Sequence, residues 1–451
     1  MKFSLQGLLS LAWPIVLSRA TQAVIGFSDA LMVAPLGEDA LAAATTGGLN
    51  TFLLIILPMG TAFILQSFAA QLRGRGQLDA LPRYALYGLL LALGAGLLAL
   101  CALPFVPWLN SKFAFTPEVQ ALMNSYMAVR LLSVAPATAT EALGNWYGGL
   151  GNTRIGMVAS VAAMLTNLIG NYALIMPRFG LPGYGVAGAA WASTAGTCVG
   201  CAVVLTAFLR GVGYERSASR GKLSLGELRR VLRFGLPNGV NWFLEFAAFT
   251  LFINVVVGHL GTTALAAFNV VMSMNSVSFM PAFGVTSAGA IFVGEAIGRR
   301  AHHEVGAVVK TTGLVAASWM GAVGILYWSF PRQLFAIFQP DAHGSQLAEA
   351  GTLMLGLAAF WQLFDALSMT VSEALRAAGD TAWCLAARLV LAWVLFTPIA
   401  WYIGLYRNGG ITGIMFSLIA YMAALTLTMV GRFASGRWKQ IDLVSVEPKL
   451  V

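Results

Sequence analysis

Charge is scarce in this sequence. Only 10% of the 451 residues are Asp, Glu, Lys or Arg, while 58% are hydrophobic. Soluble domains carry about 25% charged residues, and a soluble fold of this length has no means of hiding so much apolar surface. A water-soluble protein is excluded, and lipid becomes the main solvent. Cysteine is nearly as sparse: Cys101, Cys198, Cys201 and Cys384 all fall inside apolar runs. The C-x-x-C of Cys198 and Cys201 reads as small packing residues in a membrane helix rather than as a redox or metal pair. His302 and His303 stand in a basic loop and His343 in a polar one, and no His/Cys/Asp/Glu cluster has metal-ligand spacing. The G-x-S-x-G, H-E-x-x-H and paired-aspartate patterns of intramembrane enzymes are missing, so the chain is expected to be no enzyme and to need no cofactor. The start, MKFSLQGLL, has one lysine and no small-residue cleavage site, so it reads as the first helix and not as a removed signal peptide.

What the sequence has instead is long apolar runs, each near the ~20 residues that cross a bilayer. Twelve spans are expected, near 8–34, 44–71, 84–108, 119–144, 154–176, 184–209, 232–258, 264–297, 306–328, 347–375, 382–403 and 411–431. The formal net charge of +9 does not point to nucleic acid, because its placement follows the membrane. One side collects Arg73, Arg75, Arg83, the run from Arg210 to Arg233, Arg299, Arg300, Arg376, Arg388, Arg432, Arg437 and Lys439. The other side holds Lys112, Arg178, Arg332 and Arg407. By the positive-inside rule both termini are cytoplasmic, which in a bacterial cell means a multi-pass protein of the inner membrane.

The two halves repeat. APLGEDALAAA around Gly37 matches GHLGTTALAAF around Gly261 at an offset of 224, and Gly60 with Gly284, Gln71 with Glu295 and Gly74 with Gly298 keep it. Pro14 matches Pro237 at 223, and GLGNTR around Gly151 matches AAGDTA around Gly379 at 228. Six spans per half is an even number, so the repeats are parallel about an axis along the membrane normal. The fold class is therefore all-α integral membrane protein, with twelve transmembrane helices in two pseudo-symmetric six-helix bundles. Expected divisions are an N-lobe at 1–209, a cytoplasmic linker at 210–231 whose end (Leu223, Leu225, Leu228) is amphipathic, a C-lobe at 232–431 and a cytoplasmic tail at 432–451.

Charges inside the spans are the candidate functional groups. A carboxylate at membrane depth costs at least about 2.5 kcal/mol on insertion scales, which makes it a functional hypothesis by default. Glu245 is mid-span, and two readings stay open: a structural pair with an embedded arginine such as Arg19 or Arg130, or a group that alternately holds a cation and a cationic substrate. Asp365 lies as deep in its own span. Two such acids can together take a proton near neutral pH, or offer hard oxygens to sodium. Trp361, one turn before Asp365, shares its face, and either attracts cations with its ring or packs. Asn167 and Asn171 stand at i and i+4 on one helix face. Arg19, Arg130 and Glu141 receive no specific role, and Glu373 is expected to be partly solvated at the cytoplasmic end of its span.

GFSDALMVAPLGEDALAA, NLIGNYALI, GLPGYGVAGAAWAST and EALRAAGDT, in this order and spacing, resemble the multidrug and toxic compound extrusion (MATE) transporters, and Glu245 with Asp365 look like their NorM branch. The resemblance covers essentially the whole chain. It implies a cation-coupled antiporter that exports cationic or zwitterionic drugs in exchange for Na⁺ or H⁺ by alternating access, as a monomer among membrane lipids. Glu245 and Asp365 would then be ligands of a sodium ion or of protons, with Trp361 beside them. The resemblance also places an acid at Asp29 with Asn167 and Asn171, joined by Thr194, as a pocket for a proton or sodium ion; against this, amides also join membrane helices merely by packing and hydrogen bonds. It makes Pro14 a candidate for coupling occupancy to shape. The alternative is export of a native metabolite, or a lipid-linked flippase of related architecture, whose phosphate cargo would call for a cationic cavity. None of Asp29, Glu245 and Asp365 has a counterpart at the repeat offset, so the scaffold is duplicated and the chemistry is not.

Overall fold

A computed structural model describes residues 3–112, 115–214, 222–338, 346–407 and 409–444. Most of the expected linker's middle, the loop with His343 and the last residues of the tail lie outside the described residues. The regular elements are helices. The first half comprises α1 (Leu5–Val33), α2 (Glu38–Ala62), α3 (Leu65–Gly74), α4 (Leu81–Ala102), α5 (Val106–Asn110), α6 (Pro117–Leu131), α7 (Val134–Gly149), α8 (Thr153–Leu174) and α9 (Gly185–Arg210). The second comprises α10 (Leu225–Leu251), α11 (Thr262–Gly298), α12 (His302–Ser329), α13 (Pro331–Phe338), α14 (Gln346–Ala378), α15 (Thr381–Leu389), α16 (Thr397–Trp401) and α17 (Gly410–Ala434).

Among the described residues, 11 helical stretches are long and apolar enough to cross a membrane. The expected span 119–144 is the twelfth, and it is broken. Pro136 has no N–H for the Leu132 carbonyl and its ring crowds that oxygen. The chain therefore tightens between α6 and α7, with Leu132 N–H donating to Val129 (3.2 Å) and Ser133 N–H to Arg130 (3.0 Å). Leu93, Leu97 and Leu98 of α4, Ile325 and Trp328 of α12 and Leu427 of α17 are exposed, the apolar exterior that a lipid solvent favours.

The repeat seen in the sequence is repeated in the backbone. Gly37 and Gly261, which precede α2 and α11, have φ of +109° and +104°, a region that favours glycine. Behind α7 and α14 the chain closes the same turn twice. Gly151 N–H donates to Gly148 and Asn152 N–H to Tyr147, while Gly379 N–H donates to Arg376 and Asp380 N–H to Leu375. This is the Schellman pattern with a left-handed glycine. The halves differ where α2 and α3 are separated at Phe63–Ile64, whereas α11 runs unbroken for 37 residues.

The chain forms two compact units: Pro14–Gly239, and Met1–Trp13 with Val240–Val451. The divisions fall beside the matched prolines Pro14 and Pro237, not at the ends of the lobes expected at 1–209 and 232–431. α10 also starts at Leu225, earlier than the expected 232. In the Pro14–Gly239 unit, Glu227 anchors that early start, accepting from Tyr87 (2.7 Å) and Arg83 (3.1 Å). Within this unit Gly235 and Gly239 lie against α2, where a Cβ at Gly239 would come 2.9 Å from the Thr61 nitrogen, and Asn238 donates to the Gly60 carbonyl at 2.6 Å. In the other unit the core is aromatic: Phe252, Phe268, Tyr327, Trp361 and Phe396 pack with Met354 and Met415.

Candidate functional site

In the Pro14–Gly239 unit the polar centre is Asp29 of α1. Its Oδ1 accepts from Asn167 Nδ2 (2.9 Å) and Asn171 Nδ2 (2.5 Å), and its Oδ2 accepts from Ser193 Oγ (2.8 Å). The i, i+4 spacing puts both amides on one face of α8. Helix α9 reaches them because Gly196 and Gly200 let its backbone lie close to α8; a Cβ at Gly196 would stand 2.6 Å from the Ala163 carbonyl oxygen. Of the expected set, Asp29, Asn167 and Asn171 come together. Thr194 does not join them: its hydroxyl donates to the Val129 carbonyl at 3.3 Å, and the adjacent Ser193 takes its place. Asn167 and Asn171 are each 1% exposed, and the Oδ1 of Asn171 has no hydrogen-bond partner, so one buried acceptor remains open beside the carboxylate. The arrangement offers oxygens to a small cation or a proton.

A second charged pair lies in the same unit. Arg19 of α1 donates to Glu141 of α7 at 2.8 Å, and Asn145 donates to the same carboxylate oxygen at 2.8 Å. Arg19 is thus engaged by Glu141 within its own unit. Arg130 sits against Tyr126. Pro14 lies within α1, which continues as one helix from Leu5 to Val33.

In the unit containing Val240–Val451, Glu245 of α10 is ion-paired to Arg388. The charges of both act on Asp365 of α14, and Arg388 also feels Tyr421 of α17. Glu245 and Asp365, expected together, share one electrostatic neighbourhood. Trp361 is not at their side as an open ring; it is 3% exposed and belongs to the aromatic core cluster. A second residue that sequence reasoning missed, besides Ser193, is Arg388, which it assigned to the cytoplasmic side. It lies inside α15, seven residues after Thr381 and so about 10 Å along the helix. An arginine interrupting the apolar run 382–403 was the available signal. Glu373 differs as well: it is buried and paired to the buried Arg376 one turn on, not solvated.

Both helices that carry this ion pair loosen just beyond it. Residues Phe252–Val257 and Val390–Phe396 are wound as π-helix, as are Tyr402–Tyr406. Pro398 gives a local cause for the second, since it cannot donate and its ring would crowd residue 394 in an α-helix. The Thr397 hydroxyl donates instead to the Ala392 carbonyl at 2.8 Å. Phe252 and Phe396, one from each widened turn, pack with ring centroids 5.0 Å apart and ring planes tilted by 43°. Such π-segments are rare and are frequent at functional sites.

The chain can now be set beside known proteins. The MatE family model matches residues 14–173 and 240–402. The chain is 31% identical over 447 residues to a probable multidrug resistance protein NorM of Deinococcus radiodurans, covering 95% of each chain. It is 26% identical over 448 residues to the protein of the same name in Pseudomonas syringae pv. tomato, again covering 95% of each. Among solved structures, a MATE in the bent conformation superposes with a TM-score of 0.87 over 96% of both chains at 20% identity. An outward-facing multidrug resistance MATE family transporter gives 0.87 over the same shares. At that identity the likeness speaks for the fold.

Proposed function

Since this chain belongs to the MatE family, we propose that it is a multidrug efflux transporter that exports organic cations in exchange for Na⁺ or H⁺. The observation that carries the reading is the pair of acids in the second half, Glu245 and Asp365, on membrane helices and within one electrostatic neighbourhood. Glu245 keeps 45% of its side chain exposed although it lies within a membrane span, and in this reading the exposed part is where a cation is met. A site of net negative charge binds either a coupling cation or a cationic drug, and mutual exclusion of the two is what exchange requires. Asp29 with its amides offers a second cation or proton site in the first half, built from different residues. Arg19 and Arg388 are each engaged by a carboxylate, which favours cationic cargo over a phosphate. In this reading both termini are cytoplasmic, the protein lies in the inner membrane, and it works as a monomer.

The test is transport by the purified chain in liposomes. Ethidium movement is followed under an imposed pH gradient and then under a sodium gradient. At least one gradient is expected to drive ethidium against its concentration. If neither does, exchange is not the mechanism.

A further inference from the structure

Arg388 is the charged group that cation exchange leaves without a duty. A guanidinium inside a membrane helix costs about 2.5 kcal/mol or more, and packing alone would be better served by a leucine. Its surroundings are specific. Glu245 of α10 pairs with it and Ser372 of α14 stands with its Oγ 3.5 Å from Arg388 Nη2, while Asp365 of α14, Tyr421 of α17 and Cys384 of its own helix α15 act on it electrostatically. Its side chain is 16% exposed against 45% for Glu245, so the arginine is the deeper partner and the carboxylate the accessible one. With both acids ionised, Glu245, Asp365 and Arg388 together carry one net negative charge.

We propose that Arg388 is a built-in counter-cation, a positioning residue that occupies Glu245 whenever no cargo cation does and so limits the site to one positive charge at a time. A drug or coupling cation arriving at Glu245 competes with the guanidinium. When it leaves, the guanidinium returns, and Glu245 is never left as a bare carboxylate in a membrane helix. Arg388 therefore weakens cation binding in order to permit release. The widened turn that begins at Val390, directly after α15, gives the arginine's helix local freedom to move. This inference rests on the cation-site reading of Glu245, and its test separates the two.

Ethidium binding is measured by fluorescence titration on the detergent-purified full-length chain between pH 6 and 8. Transport in liposomes is measured in parallel, for wild type, R388Q, R388K and E245Q. A unit charge at contact distance is worth several kcal/mol at protein-like dielectric, so R388Q is expected to bind ethidium roughly tenfold more tightly or better. Its KM and kcat for transport fall together, because release slows. Protons also compete better once the positive charge is gone, so the pH at which they displace ethidium rises. R388K keeps the charge but loses the planar fork that grips a carboxylate. It is expected to move in the same direction by a few-fold, and it carries the test if R388Q does not fold. Wild-type affinity and an unmoved proton-competition curve in the folded Arg388 variants, with binding lost in E245Q, would overturn the role of Arg388 and leave the cation site standing. Wild-type ethidium binding by E245Q would remove the cation site itself, and this role with it.

Discussion

Ser193 and Thr194 are neighbours with the same chemistry and different partners. Ser193 donates to Asp29 Oδ2, whereas Thr194 donates to a backbone carbonyl. Asp29 is partly buried, and a carboxylate so placed that is short of one donor loses about 1 kcal/mol. S193A is therefore expected to slow ethidium efflux from whole cells severalfold, and T194A to leave the initial rate within about a factor of two. Equal losses would mean that the hydroxyl on Asp29 carries no weight. The resemblance pointed to Thr194 as the hydroxyl beside Asn167 and Asn171, and Ser193 holds that place. Adjacent helical residues point about 100° apart, and the rotation of α9 is set by its glycines against α8, which no local pattern reveals. The same gap explains the charges. Arg19, Glu141 and Glu245 stood out as costly groups in apolar runs, yet their pairing with one another or with Arg388 depends on which helices meet. Trp361 shows the opposite limit: helical spacing left its ring either to meet cations or to pack, and it packs in the tertiary core.

Helices were legible wherever periodicity was not needed, because a run of some twenty apolar residues needs no amphipathic pattern to be read. The break between α6 and α7 was signalled by Pro136 and went unused, since proline is tolerated within many membrane helices. The π-turns after Glu245 and Arg388 leave no composition signature apart from Pro398. Arg388 was misplaced because an arginine two turns from a helix end is easily grouped with the basic loop beside it. Close helix contact is where a single substitution acts on a whole element. At Gly196 an added side chain meets the Ala163 carbonyl and the Asn167 Cβ. G196V is expected to force α8 and α9 apart at about 1–3 kcal/mol, the usual cost of overpacking. Its thermal midpoint in detergent should fall and its ethidium efflux should fall with it, because Asn167 moves away from Asp29. A G196V protein with wild-type thermal midpoint and efflux would show that the α8–α9 approach does not set the pocket.

The molecule as a whole is a duplicated scaffold carrying unduplicated chemistry. The duplication was readable from glycines and is visible again as positive φ at Gly37 and Gly261 and as twin closures at Gly151 and Gly379. The asymmetry was readable from the acids. Asp29 in the first half is surrounded by amides and a hydroxyl, while Glu245 and Asp365 in the second share an arginine. What the sequence did not reveal is where the compact units divide, because that division follows packing around Pro14 and Gly239 rather than a change in composition. The central claim is that the second half's acids carry the cation exchange. Its most direct test is ethidium efflux by E245Q and by D365N under whichever gradient drives the wild type, with membrane content and thermal midpoint checked on the same preparations. The account predicts that both variants are folded, inserted and inactive in efflux. Normal efflux by both would contradict it.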